Sequence, residues 1–383
     1  MRPGCSIFCE RLPGDPVKIG IVSAFFQNYR AGTWVYAQSL LKAFDDLAND
    51  ENRFFTIDFL AAPVPGLRNI QHLAYPAKAI SPAKIVWPNL VLPRRAARDK
   101  FDVVHATTHY GTFMPCKYRN IITVTDVSPI IYPETHGRMQ VAYHRHILPL
   151  VLKRADAILT ISASSKRDIV SCYRIKEDKV HVIHLGVARR FIPDVSGESD
   201  FTRTLPERYI LNIGTLEARK NLPRLIEAFA IARNKGLDRK LLIGGARGWR
   251  LSNLAALVEK YALDEDVLFL GFVEDEDLPL LYGRADYFVY PSLYEGFGMP
   301  ILEAMACGTP VITSNCSSMP EVAGDAALLV DPQDVHALAS KMLELAADQD
   351  LRASLRARGI GRAGQFSWEN TARKTMAVYE RAI

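Results

Sequence analysis

Apolar residues fall into short runs of Val, Ile, Leu and Phe, each followed by a polar or glycine-bearing turn and then by a helical pattern. Runs of this kind suit strands buried on both faces of a parallel sheet, with the helices as crossovers. In the first half, strands are expected at 17–23, 54–60, 101–106, 120–125, 157–161 and 179–184, and helices at 33–47 and 140–154. Prolines crowd residues 61–93, where loops and one short helix are expected. The apolar rhythm stops between 188 and 206, as in an interdomain linker. It restarts with strands expected at 209–214, 240–244, 267–271, 287–290, 310–313 and 327–330, and ends in helical patterns at 335–348, 351–364 and 368–383.

Two Rossmann-like α/β domains facing a cleft follow from this rhythm, at 1–187 and 207–365, joined by the linker 188–206. A terminal helix at 366–383 is free to return to the first domain. A chain of 383 residues is long enough for two cores. In doubly wound sheets, ligands bind beyond the carboxyl ends of the strands, which directs attention to the loops there.

Composition narrows the partners. With 49% hydrophobic and 23% charged residues, the chain is an ordinary globular one. The excess of 47 Lys and Arg over 42 Asp and Glu gives a net charge of +5, too slight for a nucleic-acid binder but compatible with anionic small substrates or an acidic membrane surface. The cysteines (Cys5, Cys9, Cys116, Cys172, Cys307 and Cys316) form no CxxC pair, which favours a reduced compartment. His144 and His146 lack companions at metal-ligand spacing, so no metal is expected. The first sixteen residues hold no signal-peptide core, and no run of about 18 apolar residues occurs. The expectation is a cytoplasmic protein, soluble or peripheral on the cytoplasmic face of a membrane. Arg94, Arg95, Arg98 and Lys100 are either a contact for anionic lipid or a solvated helix face.

The most informative segment runs from Pro291 through Ser-Leu-Tyr-Glu-Gly-Phe-Gly-Met to Pro300, then Ile-Leu-Glu-Ala-Met-Ala-Cys-Gly308. It reads as a strand end, a glycine turn and a helix over about 300–307, with Pro300 suited to the first turn and Gly308 to the position past the end. Gly296 and Gly298 let a ligand approach the backbone, and the amides opening the helix suit an anion. Glu295 and Glu303, eight positions apart, can each accept hydrogen bonds from sugar hydroxyls. A second segment, Gly214-Thr-Leu-Glu-Ala-Arg-Lys-Asn-Leu222, places Arg219 and Lys220 at the start of a helix, where cations are mildly unfavourable unless an anion meets them. Fixed cations there can stabilise charge developing on a departing diphosphate.

With its flanks Gly271-Phe272-Val273 and Gly308-Thr-Pro-Val311, the 291–310 segment resembles the glutamate–seven residues–glutamate signature of retaining GT-B glycosyltransferases of the glycogen-synthase-like and mannosyltransferase-like family, family 4. The resemblance implies transfer of a hexosyl unit from a nucleotide-diphosphosugar to a glycan or lipid-linked glycan, without a metal or other cofactor. GDP-mannose is the first candidate donor. Glu295 would contact the donor sugar and Glu303 the ribose. Gly296, Phe297, Gly298, Met299 and Pro300 would lie near sugar and diphosphate, Phe272 and Val273 beside the base, and Arg219 and Lys220 on the diphosphate. From the first domain, Gly32 and Thr33, in Arg30-Ala-Gly-Thr33, would face the diphosphate. Asp126, after the strand at 120–125, either orients or deprotonates the acceptor hydroxyl or simply forms a turn. His105 and His109 either line the acceptor side or are satisfied core histidines. Thr215 stands where many members carry arginine, and Thr125 where many carry histidine. On the same fold, a nucleotide-sugar 2-epimerase or a catalytically silent sugar-nucleotide-binding protein would show the same motif.

Overall fold

The computed structural model describes residues 15–22, 32–48, 52–58, 66–75, 83–195, 197–246 and 254–383. Arg30, Ala31, Cys5 and Cys9 lie outside the described residues. The chain forms two compact units, one of Met1–Ile130, Met139–Gly186 and Trp368–Ile383, the other of Ile131–Arg138 and Val187–Ser367.

The first unit is a seven-stranded parallel sheet of β1 (Val17–Val22), β2 (Asn52–Asp58), β3 (Gln71–Ala74), β4 (Val103–Ala106), β5 (Arg119–Thr123), β6 (Ala157–Thr160) and β7 (Val180–Val182), in the order 3-2-1-4-5-6-7. Ile19, Ile21, Val103, Ile121, Ile122 and Ile158 are fully buried in it, which is why these runs carry no polar alternation. The helix Gly32–Leu47 buries Leu40 and Phe44. Its Asp45 is buried as well, and its carboxylate accepts the backbone N–H groups of Arg68, Asn69 and Ile70, fixing the turn that leads into β3. The terminal helix Trp368–Ala382 belongs to this unit, packing Tyr379 against Phe44 with ring centres 6.0 Å apart.

The second unit repeats the design with β8 (Tyr209–Ile213), β9 (Lys240–Gly244), β10 (Val267–Gly271), β11 (Tyr287–Tyr290), β12 (Val311–Ser314) and β13 (Ala327–Val330), in the order 10-9-8-11-12-13. Its core joins Leu225, Ile226 and Phe229 of the helix Leu222–Asn234 to Leu338, Met342 and Leu345 of the helix Val335–Ala347. In both units the strand order reverses beside the first strand, at β1/β4 and at β8/β11. Two Rossmann-like folds in tandem are the architecture the sequence pattern implied.

Four local features depart from that pattern. Strand β3 lies in the proline-rich stretch expected to form loops and one short helix, and the helical run at 83–98 is longer than that helix, continues past the stretch and includes a π-helical turn at Trp87–Val91. The single helix expected at 140–154 is two, Arg138–His146 and Leu148–Arg154, because Pro149 opens a new first turn. The stretch 188–206 falls within the second unit and carries a short helix, Asp200–Arg203, closed by a capping box between Ser199 and Thr202.

Candidate functional site

Strands β8 and β11 border the reversal of strand order in the second unit, the place where doubly wound sheets leave a crevice at their carboxyl ends. The loop after β8 carries Arg219 and Lys220 on a 3₁₀ turn, Ala218–Lys220. The loop after β11 carries Glu295. They are stitched together by backbone and side chain: Leu293 N–H donates to the Arg219 carbonyl at 2.8 Å, and the Asn221 amide donates to the carbonyls of Pro291 at 3.0 Å and Pro332 at 2.7 Å. Asn221 sits at φ +61°, a left-handed turn that asparagine tolerates, and this turn ends the 3₁₀ segment so that the helix Leu222–Asn234 can begin. From the far side, the hydroxyls of Ser317 and Ser318 donate to the Glu295 carbonyl at 2.7 and 2.9 Å.

The charged side chains close on one another. Lys220 Nζ lies 2.6 Å from Glu295 Oε1, and Arg219 Nη1 lies 2.7 Å from Glu295 Oε2. Tyr290 Oη accepts from Lys220 Nζ at 2.5 Å and donates to Glu295 Oε1 at 3.0 Å, while Arg219 Nε reaches Glu217 Oε2 at 2.8 Å. Burial alone would raise the Glu295 carboxyl, but Arg219 and Lys220 outweigh it and hold it at about 2. Burial, reinforced by Arg219, draws the Lys220 ammonium below its ordinary value against the pull of Glu295. A lysine in a loop at a helix start is ordinarily an exposed cation with little part in folding. Here its side chain is only 9% exposed, with Nζ against the Tyr290 ring, 4.9 Å from its centre, and paired with Glu295.

Around this cluster the glycines do what their positions require. Gly298, at φ +103°, is the residue before the helix Met299–Ala306, and the left-handed backbone turns the Glu295–Phe297 loop into that helix. Pro300 lies in its first turn, and Gly308 follows its end at φ +76°. Gly296 and Phe297 are buried, and the Phe297 ring meets Phe366 edge-on at 5.9 Å. Met299 and Pro300 are partly exposed. Val273 is buried and Phe272 half-exposed just beyond β10.

Glu303, on the helix, accepts a hydrogen bond from Tyr282 Oη at 3.0 Å. Burial pushes its carboxyl up to about 7, against the Tyr282 hydrogen bond and Arg190. A raised carboxyl stabilises the fold fully only below the unfolded value, and that contribution is lost as pH rises toward 7. Glu303→Gln, which cannot ionise, is therefore expected to match the parent in melting temperature near pH 4.5 and to exceed it increasingly up to pH 8. A constant offset across that range would contradict the assignment.

The remaining expected residues belong to the first unit. Gly32 opens the helix Gly32–Leu47 with Thr33 beside it, Gly32 exposed and Thr33 partly so. Asp126 lies beyond β5 and accepts the Ser128 N–H at 2.9 Å, capping its own turn. His105 does not line an open acceptor surface. It is fully buried, with Nδ1 bonded to Tyr379 Oη at 2.6 Å and Nε2 to Thr123 Oγ1 at 2.8 Å, and burial pushes it down to about 3. Thr123 also meets Tyr36 Oη at 2.9 Å, so this buried chain ties the terminal helix to the sheet. His109 packs among Tyr110, Tyr143 and His144. Among the described residues, no group of three or more His, Cys, Asp or Glu is placed to hold a metal ion. No helix among them is long and apolar enough to cross a membrane.

Glu217, Tyr290, Asn221, Ser317 and Ser318 were not singled out from the sequence. Glu217 and Asn221 stand inside the quoted basic segment, where their charge and turn propensity were visible. Tyr290 ends an expected strand five positions before Glu295, whereas the serines gave no signal, since Glu295 lies 22 and 23 positions from them.

Known proteins are similar to this chain in sequence and in fold. Residues 199–362 match the profile described as "Glycosyl transferases group 1", and residues 32–190 match "Glycosyltransferase Family 4". The O-antigen chain mannosyltransferase B of Escherichia coli is 38% identical over 305 residues, 76% of this chain and 78% of that protein. The chain belongs to the family 4 glycosyltransferases. It transfers a sugar from a nucleotide-diphosphosugar to an acceptor. The serotype-specific mannosyltransferase WbdA of Escherichia coli is 34% identical over 89% of this glycosyltransferase, which spans 43% of that larger protein. The fold matches the solved sucrose-phosphate synthase of Thermosynechococcus elongatus at a TM-score of 0.76, with 21% identity over 95% of this chain and 98% of that one. It also matches HepE of Anabaena, solved with UDP and glucose, at a TM-score of 0.71, with 17% identity over 95% and 100%. These two likenesses bear on the GT-B fold alone.

Proposed function

We propose that this glycosyltransferase moves a mannosyl unit from GDP-mannose to a growing glycan, free or lipid-linked, with retention of configuration and without a metal. The observation that carries the proposal is the buried Arg219–Lys220–Glu295 cluster at the β8/β11 reversal, which pairs diphosphate-binding cations with a sugar-binding carboxylate. The names of the Escherichia coli relatives support mannose and a surface glycan, and HepE with UDP and glucose supports a nucleotide-bearing donor.

In this assignment, Arg219 and Lys220 stabilise the diphosphate as the glycosidic bond breaks, helped by the amides near Phe297. Glu295 accepts from hydroxyls of the transferred sugar, and Glu303 from the ribose. Phe272 and Val273 flank the base, and Gly32 and Thr33 add contacts to the phosphates. The acceptor belongs to the first unit, where Asp126 orients or deprotonates its hydroxyl. The exposed Arg94, Arg95, Arg98 and Lys100 are assigned to the surface that meets a lipid-linked acceptor.

A thermal-shift panel tests the donor. A ligand held only by the folded state contributes about 2.7 kcal/mol at one hundred times its Kd. GDP-mannose is expected to raise the melting temperature by several degrees while UDP-glucose and UDP-N-acetylglucosamine leave it unchanged, and EDTA is expected to leave transfer intact. Stabilisation by a uridine donor alone would overturn GDP-mannose. Conversion of GDP-mannose to a 2-epimer without acceptor would overturn transfer itself.

A further inference from the structure

We propose that Glu217 is a built-in competitor for the donor's diphosphate, which weakens the grip on the departing nucleoside diphosphate more than the grip on the intact donor. This rests on the proposed placement of the diphosphate on Arg219 and Lys220. Without ligand, the cluster is electrically balanced: two cations, Arg219 and Lys220, face two carboxylates, Glu217 and Glu295. A diphosphate arriving on those cations meets no net positive field unless one carboxylate gives way.

The two carboxylates are not equally able to yield. Glu295 is 8% exposed, accepts from Lys220, Tyr290 and Arg219, and has its carbonyl held by Ser317 and Ser318. Glu217 is 25% exposed and reaches Arg219 through Nε at 2.8 Å. It occupies the position before the 3₁₀ turn in extended backbone, φ −121° and ψ 154°, with no side-chain bond capping that turn. Glu217 is therefore the member that can rotate toward solvent while the rest stay fixed.

A carboxylate left near the phosphates repels them in proportion to their charge. The free nucleoside diphosphate carries one more negative charge than the nucleotide sugar, whose terminal phosphate is esterified. The penalty therefore falls harder on the product. Glu217→Gln keeps an acceptor for Arg219 Nε and removes the charge.

The experiment is calorimetric titration of GDP, UDP, GDP-mannose and UDP-glucose into the parent, Glu217→Gln and Lys220→Met at two salt concentrations, with the inhibition constant of the two diphosphates in the transfer assay. In Glu217→Gln the Kd of the diphosphate that binds the parent is expected to fall roughly fivefold to tenfold at low salt. The gain should shrink at high salt, be smaller for the nucleotide sugar, and appear as the same factor in product inhibition. Equal or weaker binding by Glu217→Gln, with the parent binding and Lys220→Met not, would overturn the proposal alone. If neither diphosphate binds the parent, or if Lys220→Met binds as the parent does, the donor-site assignment falls and the proposal with it.

Discussion

Lys220→Ala is expected to lower sugar transfer by about 10²- to 10³-fold, the usual cost of losing one preorganised group that stabilises developing charge. The loss should appear in kcat and kcat/KM together, because the ammonium matters most when the glycosidic bond breaks. Unlike an exposed cation, Lys220 also belongs to a buried ion pair, so its removal leaves Glu295 with Arg219 and Tyr290 alone. Breaking such a pair from one side costs about 3 kcal/mol. Stability should therefore fall with activity, and single-variant kinetics must be taken well below the melting temperature. The double variant Lys220→Met/Glu295→Gln, which strands no charge, separates the two effects. It should recover much of the stability and none of the activity. Recovery of transfer would show that the pair only supports the fold.

Gly245→Ala is expected to destabilise the second unit by about 4 kcal/mol or more, read from urea unfolding. Gly245 follows β9 at φ +144°, its N–H donating to the Gly271 carbonyl at 2.6 Å. A Cβ there would stand 1.9 Å from the Gly214 carbonyl oxygen, which belongs to the backbone and cannot rotate away. The loops after β8, β9 and β10 meet at this point, so displacement would also shift the loop bearing Arg219 and Lys220. Gly236→Ala is the control. It shares a left-handed backbone, φ +94°, with nothing within 4 Å, and should cost only about 1 kcal/mol. Equal costs for the two would show that close approach at Gly214 is unimportant.

The tandem sheets were legible because their strands are continuous Val, Ile and Leu runs buried on both faces, as in Ile210–Leu211 and Ile121–Ile122. Strand β3 was hidden because Gln71, His72, Leu73 and Ala74 form a half-covered edge with no apolar run to announce it. The glycine turn and its helix were visible in local spacing, since proline and glycine carry their conformational preference with them. The pairing inside the site was not. Lys220 and Glu295 lie far apart in the chain, and the sequence presents them as separate groups, one for phosphate and one for sugar, whereas the fold makes them each other's partner. His105 shows the same limit from the other side. Its position on a strand near the carboxyl end leaves a ligand and a satisfied core histidine both open, and the partner that decides for the core, Tyr379, comes from the last helix, which no spacing rule reveals.

The central claim is that Arg219 and Lys220 grip a diphosphate beside Glu295. A crystal structure of the enzyme with GDP tests it most directly. The pyrophosphate oxygens are predicted within about 3.2 Å of Lys220 Nζ and the Arg219 guanidinium, with Glu217 rotated off Arg219. GDP bound elsewhere, with Glu217 still on Arg219 and no phosphate touching Lys220, would contradict it.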